Sequence, residues 1–342
     1  MLMVTAPAGY APALMAPASI APARATFAHM MADEPDKSFS AEILESAKDE
    51  EEKEFIEKAA KLAEAARSPD VAAAHRALAE AAVAALRDRS EVVAALEKTA
   101  KPSGKIAKAL RKPSGSMALI GEGTDFGVGE GPGAVSLMGG FDMNDPTYLS
   151  PEFRKGGVSA ICGTLAYESA LTENDLEKFV AEQATAKGEF PGPVPAICRA
   201  PFIDPLQLAQ ASLDGALGCV LPMNLNDKAS MGELMAACEK LGMEALVRVS
   251  DASQMADAID LGAGIVVLGD VSLPDATELI AELPRGKNGI VTVADFPYLD
   301  VRGAWQVRDA GFSALLSGAS MLEVCARDRV KPRVHYVVDF HI

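Results

Sequence analysis

Positive charge is scarce in this chain: 32 Lys and Arg stand against 48 Asp and Glu, a net charge of −16 over 342 residues. A nucleic-acid backbone recruits an excess of Lys and Arg, so the balance argues against a nucleic-acid partner. No run of 18 or more apolar residues occurs, which leaves no candidate transmembrane helix. The five cysteines (Cys162, Cys198, Cys219, Cys238, Cys325) show no CxxC or CxxH spacing. Most lie inside apolar runs, where a reduced thiol behaves as a small hydrophobe, so neither a disulfide framework nor a metal site is expected. The four histidines, His29, His75, His335 and His341, match no triad and no ligand spacing.

Acid is also missing from residues 1–32, a stretch rich in Ala, Pro and Met with one Arg (Arg24). Prolines interrupt every apolar run there, so the core of a secretory signal is absent. The composition is that of a transit peptide, and it gives the expectation of a plastid (chloroplast stroma) address; the bland alternative is a terminal tail with no address.

The whole chain, 49% apolar and 23% charged, is ordinary for a globular protein. Residues 33–111 read as a helical extension rich in Ala, Leu, Glu and Lys, broken at Ser68-Pro69-Asp70 by a cap and a first-turn proline. From 112 to 329 one unit repeats: a short apolar run, a loop, a capped helix, then a glycine. The runs are Met117–Gly121, Val158–Cys162, Val194–Cys198, Gly218–Pro222, Ala245–Val249, Ile265–Leu268, Ile290–Ala294 and Ala314–Ser317. Their spacing suits a strand plus a crossover helix, and their unbroken apolarity suits strands covered on both faces.

Gly188, Gly215, Gly242, Gly262 and Gly311 each fall between a helical pattern and a strand, as helix C-caps do. Thr172…Asp175, Ser230…Glu233 and Asp251…Gln254 mark helix starts. Eight such units predict an α/β fold, a (β/α)8 TIM barrel with an N-terminal helical extension, whose chemistry belongs at the C-terminal strand ends. Residues 330–342 form a C-terminal apolar tail. The Gly-rich insert Gly121–Gly140 lacks the GK[ST] ending of a nucleotide loop, so it reads as a lid or interaction loop, and no cofactor is expected.

Three stretches carry a family resemblance. They are Phe202-Ile203-Asp204-Pro205-Leu206-Gln207 after the third strand, Gly242–Val247 entering the fifth, and Ala310–Met321 through the eighth. Together with the helical residues 101–110, the order of elements resembles indole-3-glycerol phosphate synthase, a tryptophan-pathway carboxy-lyase. The resemblance implies a Glu and a Lys two apart on the first strand, matched here by Leu119 and Gly121. It implies a catalytic Lys ending the third strand, matched by Arg199, and a Glu on the fifth, matched by Arg248. Asn-Asn-Arg after the sixth strand is matched by Gly269-Asp270-Val271. Ser-Glu-Ser-Gly ending the seventh is matched by Ala294-Asp295-Phe296-Pro297.

Leu119 exchanges no proton, Arg holds its proton near neutral pH, and Arg248 reverses the charge of a would-be base. A catalytically degenerate barrel is therefore expected, acting as a binding or scaffold protein. The alternatives are an active synthase with relocated groups, or a different phosphate-ligand enzyme using Arg199, Arg248, Asp270 and Asp295. Gly318, Ala319 and Ser320 match the family's phosphate-cradling turn and make a sugar phosphate a candidate ligand, against a plain helix cap. The helical extension, the insert and the tail are the candidate surfaces for a protein partner. Because Arg248 and Asp295 both replace inward-facing residues, they are expected to pair within the mouth.

Overall fold

A computed structural model of the chain describes residues 68–112, 116–123, 137–138, 141–142, 145–164, 175–281, 283–284, 289–296 and 301–318. The eight apolar runs form parallel strands: β1 (Ala118–Glu122), β2 (Ala160–Thr164), β3 (Ala196–Arg199), β4 (Gly218–Pro222), β5 (Glu244–Val249), β6 (Ile265–Gly269), β7 (Val291–Asp295) and β8 (Ala314–Ser317). Each pairs with its neighbour in sequence order, and β1 pairs with β8 to close the barrel. Helices α1 (Pro69–Arg87), α2 (Ser90–Ala95) and α3 (Lys105–Leu110) precede β1. The crossover helices are α4 (Pro146–Gly156), α5 (Asp175–Thr185), α6 (Pro205–Leu213), α7 (Lys228–Lys240), α8 (Ala252–Asp260), α9 (Leu273–Ala281) and α10 (Val301–Asp309). Leu137–Met138, near the end of the Gly-rich insert, and Phe141–Asp142, just beyond it, pair as a short antiparallel ribbon.

Local chemistry explains the junctions. The five predicted cap glycines all have positive φ. At Gly242 the requirement is double: φ is +79°, and a Cβ would come within 2.8 Å of Ala100 Cβ. That closeness lets Ala100 bond alongside Leu241, its N–H donating to Lys240 O at 2.8 Å. In the Phe202–Gln207 run, the Asp204 carboxylate accepts from Leu206 N–H and Gln207 Oε1 accepts from the Ile203 and Asp204 N–H groups, so α6 starts on a reciprocal cap. Helix α8 begins on Asp251 as expected, but α7 begins on Asp227, whose carboxylate accepts from Ser230 N–H. Ser230 is therefore not that helix's cap: an Asp three residues upstream competes better for the same role.

The interior is built in layers. Each step between neighbouring strands advances the register by one residue, as shown by Ile120 opposite Ala160, Ile161 opposite Ala196 and Ile197 opposite Gly218. Odd strands therefore set Ile120, Ile197, Leu246 and Val293 at one height, and even strands set Cys162, Val220, Val267 and Leu316 at the next. All are buried in one cluster. The layer below is mostly small: Ala160, Gly218, Ile265 and Ala314. Its missing volume is taken by Ile106 and Leu110 of α3, both fully buried in the same cluster. A Cβ on Gly218 would meet Ile106 Cδ1 at 2.5 Å. Glu244, at the entry of β5, accepts from the Ile106 and Ala107 N–H groups at 2.8 and 2.9 Å, capping a helix whose own N-cap, Gly104, has no side chain.

The sequence-based boundary at residue 111 thus falls inside shared packing, because α3 is the floor of the barrel. Helices α1 and α2 pack outside on α6, where Arg89 donates to Gln210 Oε1 at 2.8 Å and Arg76 donates to Leu225 O. No helix among the described residues is long and apolar enough to cross a membrane.

Candidate functional site

Above the last apolar layer, the register brings up the next inward residue of each odd strand: Glu122 on β1, Arg199 on β3, Arg248 on β5 and Asp295 on β7. These four, from alternate strands, form a single charged layer in the place where a barrel's chemistry is expected. The Arg199 guanidinium spans the mouth. Its Nη1 donates to Glu122 Oε1 and Oε2 at 3.1 and 3.3 Å, and its Nη2 donates to Asp295 Oδ2 at 3.0 Å. Arg248 Nε donates to the same Oδ2 at 3.1 Å, and its Nη1 reaches Asp270 Oδ2 at 2.5 Å. The expected Arg248–Asp295 contact is present, but as one link in a chain running Glu122, Arg199, Asp295, Arg248, Asp270.

Two backbone features make this chain fit. Gly269, the inward residue at the end of β6, leaves room for Arg248: a Cβ there would stand 2.5 Å from Nη2 and 2.8 Å from Cζ. Asp270 follows with φ +56°, the one described non-glycine residue in the left-handed region. That conformation is tolerated by Asp better than by most residues and is a form of strain that recurs at functional sites.

Burial and neighbouring charge act in opposite directions on the carboxylates. Burial pushes Glu122 above the usual Glu range, Arg199 pulls it back, and Asp295 adds repulsion; the net direction is up. Burial also works against ionised Asp295, but the Arg199 and Arg248 guanidiniums outweigh it and hold that carboxyl below its ordinary value. Arg199 is locked in its charged form by Asp295 and Glu122. The Cys162 thiol, 3.7 Å from Glu122 Oε1, is pushed well up by burial and by the carboxylate, so it is a poor nucleophile.

The first-strand assignment needs correction. Leu119 is buried in the cluster between the barrel and its helices, not in the barrel interior. Gly121 also points outward, since its Cβ would lie 2.9 Å from the Phe153 ring on α4. The inward pair two apart is Ile120 and Glu122. The error is one of parity: a strand apolar on both faces gives no alternation from which to count, and one residue's slip exchanges the faces. Glu122, missed for that reason, was marked in the sequence as the charged residue ending the first apolar run.

Arg199, Arg248, Asp270 and Asp295 come together as read. Gly318, directly after β8, is buried; Ala319, Ser320 and Pro297 lie outside the described residues, as do residues 1–67, most of the Gly-rich insert and the tail. Cys162, Cys198, Cys219 and Cys238 are buried free thiols, and no cluster of His, Cys, Asp and Glu suited to a metal occurs among the described residues. His75 lies on α1, where it is exposed.

Comparison with known proteins places this geometry in a family context. Residues 183–329 match the family model of indole-3-glycerol phosphate synthase. The indole-3-glycerol phosphate synthase of Chlorobium phaeovibrioides is 26% identical over 224 residues, 63% of this chain and 79% of that one. The synthase of Roseiflexus sp. is 26% identical over 185 residues, 52% of this chain and 68% of that one. A multifunctional tryptophan biosynthesis protein of Schizosaccharomyces pombe is 32% identical over 162 residues, 44% of this chain but 20% of that much longer one. These matches support a relationship of the barrel to the synthase family.

Proposed function

We propose that this barrel no longer performs the synthase reaction and serves as a binding or scaffold protein. The observation that carries this reading is the charged layer itself. The resemblance calls for a lysine as proton donor at the strand ends, yet none of the eight described strands contains a Lys. The two arginines that stand there are each engaged by two carboxylates. A guanidinium is far too basic to deliver a proton near neutrality, and general acid–base groups contribute about 10²–10⁴ each to rate. The helical extension, the insert and the tail supply partner surfaces, and the leader at residues 1–32 supplies a plastid address.

The test is turnover: the purified full chain, and the chain lacking residues 1–32, should not convert the anthranilate-derived deoxyribulose phosphate into indoleglycerol phosphate. A rate near ~1 s⁻¹, ordinary for an enzyme, would overturn the reading. The perturbed Glu122 and the left-handed Asp270 favour one second reading, a different enzyme acting on a small phosphate ligand. Gly318–Ser320 would then cradle the phosphate. Inorganic phosphate up to ~50 mM should in that case raise the melting temperature by mass action, and a flat response would leave Ser320 as a helix cap.

A further inference from the structure

Positive charge is scarce in the chain, and it is not spread evenly. Residues 98–112 carry Lys98, Lys101, Lys105, Lys108, Arg111 and Lys112 and no acid, so 15 of 342 residues hold six of the 32 cations. The other 26 stand against all 48 acids. This stretch is the strap that brings α3 to the barrel floor, and it is fastened along its length. Ala100 is bonded beside Leu241, Ile106 and Leu110 are buried in the interior, and Arg111 Nη2 donates to Gly289 O at 2.9 Å. Because Ile106 and Leu110 turn into the barrel, Lys105 and Lys108 fall on the side of α3 away from them. Lys98, Lys101, Lys105, Lys108 and Lys112 are all exposed. The Glu244 carboxylate, which touches α3, is engaged by the Ile106 and Ala107 N–H groups.

We propose that this basic strap is the docking surface for an acidic segment of a partner protein, an extended stretch with Asp or Glu at alternate positions. This rests on the reading of the chain as a binding or scaffold protein and names the chemistry of its partner. Lysines three or four apart on a helix stand about 5–6 Å from one another, and alternate side chains of an extended peptide repeat every ~7 Å. A single small anion would meet one or two exposed lysines, contacts worth little apiece, whereas a row of carboxylates engages several at once. A nucleic-acid duplex or a bilayer is broader than the strap. Either would bring the acid-rich remainder of the chain within a Debye length, about 8 Å at physiological salt. The exposed residues of the strap also include no aromatic ring to stack on a base and no large aliphatic to enter a bilayer. Anchored backbone holds the lysines in place before the partner arrives, which lowers the ordering cost of binding.

The test titrates the full chain into a fluorescein-labelled peptide of alternating Glu and Ser and follows fluorescence anisotropy. Binding should be saturable and should weaken several-fold as salt rises from about 50 to about 200 mM. The double variant K105E/K108E should bind about tenfold more weakly, and K105Q/K108Q, which removes charge without reversing it, should fall between it and wild type. K178E/K228E makes the same change in net charge on α5 and α7 and should bind within twofold of wild type. Melting curves of each variant show that the fold persists. Parallel titrations use a labelled DNA duplex and vesicles of phosphatidylcholine and phosphatidylserine in equal parts, and both should bind more weakly than the peptide. No saturable peptide binding at low salt, or equal losses in K105E/K108E and K178E/K228E, would overturn the proposal. So would tighter binding of the duplex or the vesicles through the same lysines. Synthase turnover with intact peptide binding would sink the proposed function alone; absence of both turnover and peptide binding would sink this inference alone.

Discussion

Replacing Arg248 by Met tests the charged layer most directly. Arg248 is the only described partner of Asp270 and one of two guanidiniums on Asp295, and all three side chains are about 15% exposed. Removing one member of a buried pair costs about 3–5 kcal/mol, because the other is left charged and dry. Asp295 keeps Arg199, so the stranded group is Asp270, and the lower end of that range, about 3 kcal/mol, is expected. D270N should cost less, about 1–2 kcal/mol, because it leaves Arg248 its contact with Asp295 and removes a single charged bond. The double variant removes both ends of the Arg248–Asp270 link. If the link is real, its cost falls below the sum of the two singles by at least ~1 kcal/mol. Urea melts of wild type, both singles and the double give the four corners, provided the slope m stays constant. Additivity within ~0.5 kcal/mol would show that the two groups do not sense each other, and the linked network would be refuted.

Stability should depend on Glu122 and Asp295 with opposite signs. Glu122 titrates higher folded than unfolded, so the native state takes up its proton first, and this group's contribution rises as pH falls toward the ordinary Glu range. Asp295 titrates lower folded, so its contribution is complete above the ordinary Asp range and is lost as pH falls through the depressed value. E122Q should remove only the first effect, leaving stability at neutral pH equal or higher; urea midpoints measured from pH 7 to pH 3 check it, and a marked loss at pH 7 would contradict it. Gly269→Ala should cost about 1–3 kcal/mol by driving a methyl into the Arg248 guanidinium, read from the same melts and expected to shrink in an R248M background. Ile106→Ala should cost about 2–5 kcal/mol despite lying in the extension, because it empties the barrel floor; near-zero cost would detach α3 from the core.

Much of this architecture was legible because its signals are local. Gly188, Gly215, Gly242, Gly262 and Gly311 mark helix ends through a backbone angle other residues adopt only at a cost, and continuous apolar runs mark doubly covered strands. The opposite charges of Arg248 and Asp295 were enough to pair them once both were placed on inward positions of β5 and β7. Glu122 was missed because parity within Ala118–Glu122 depends on pairing with β2 and β8, which no local pattern records. Asp270 joined the network through Gly269 and an unusual backbone angle, neither visible before the strands close. The same holds for α3: its two apolar residues read as an ordinary short helix until the small side chains of Ala160, Gly218 and Ala314 are seen to leave space for them.

That floor has a consequence for synthesis. Helix α3 leaves the ribosome before any strand it will seal, and the Glu244 carboxylate that caps it comes 138 residues later in the chain. At elongation rates of about 5–20 residues per second, Ile106 and Leu110 wait about 7–28 s for their cap and for most of the surface that will cover them. A plug made early and seated late makes the barrel a high-separation assembly, with the cap on α3 deferred until β5 has emerged and closure deferred until β8.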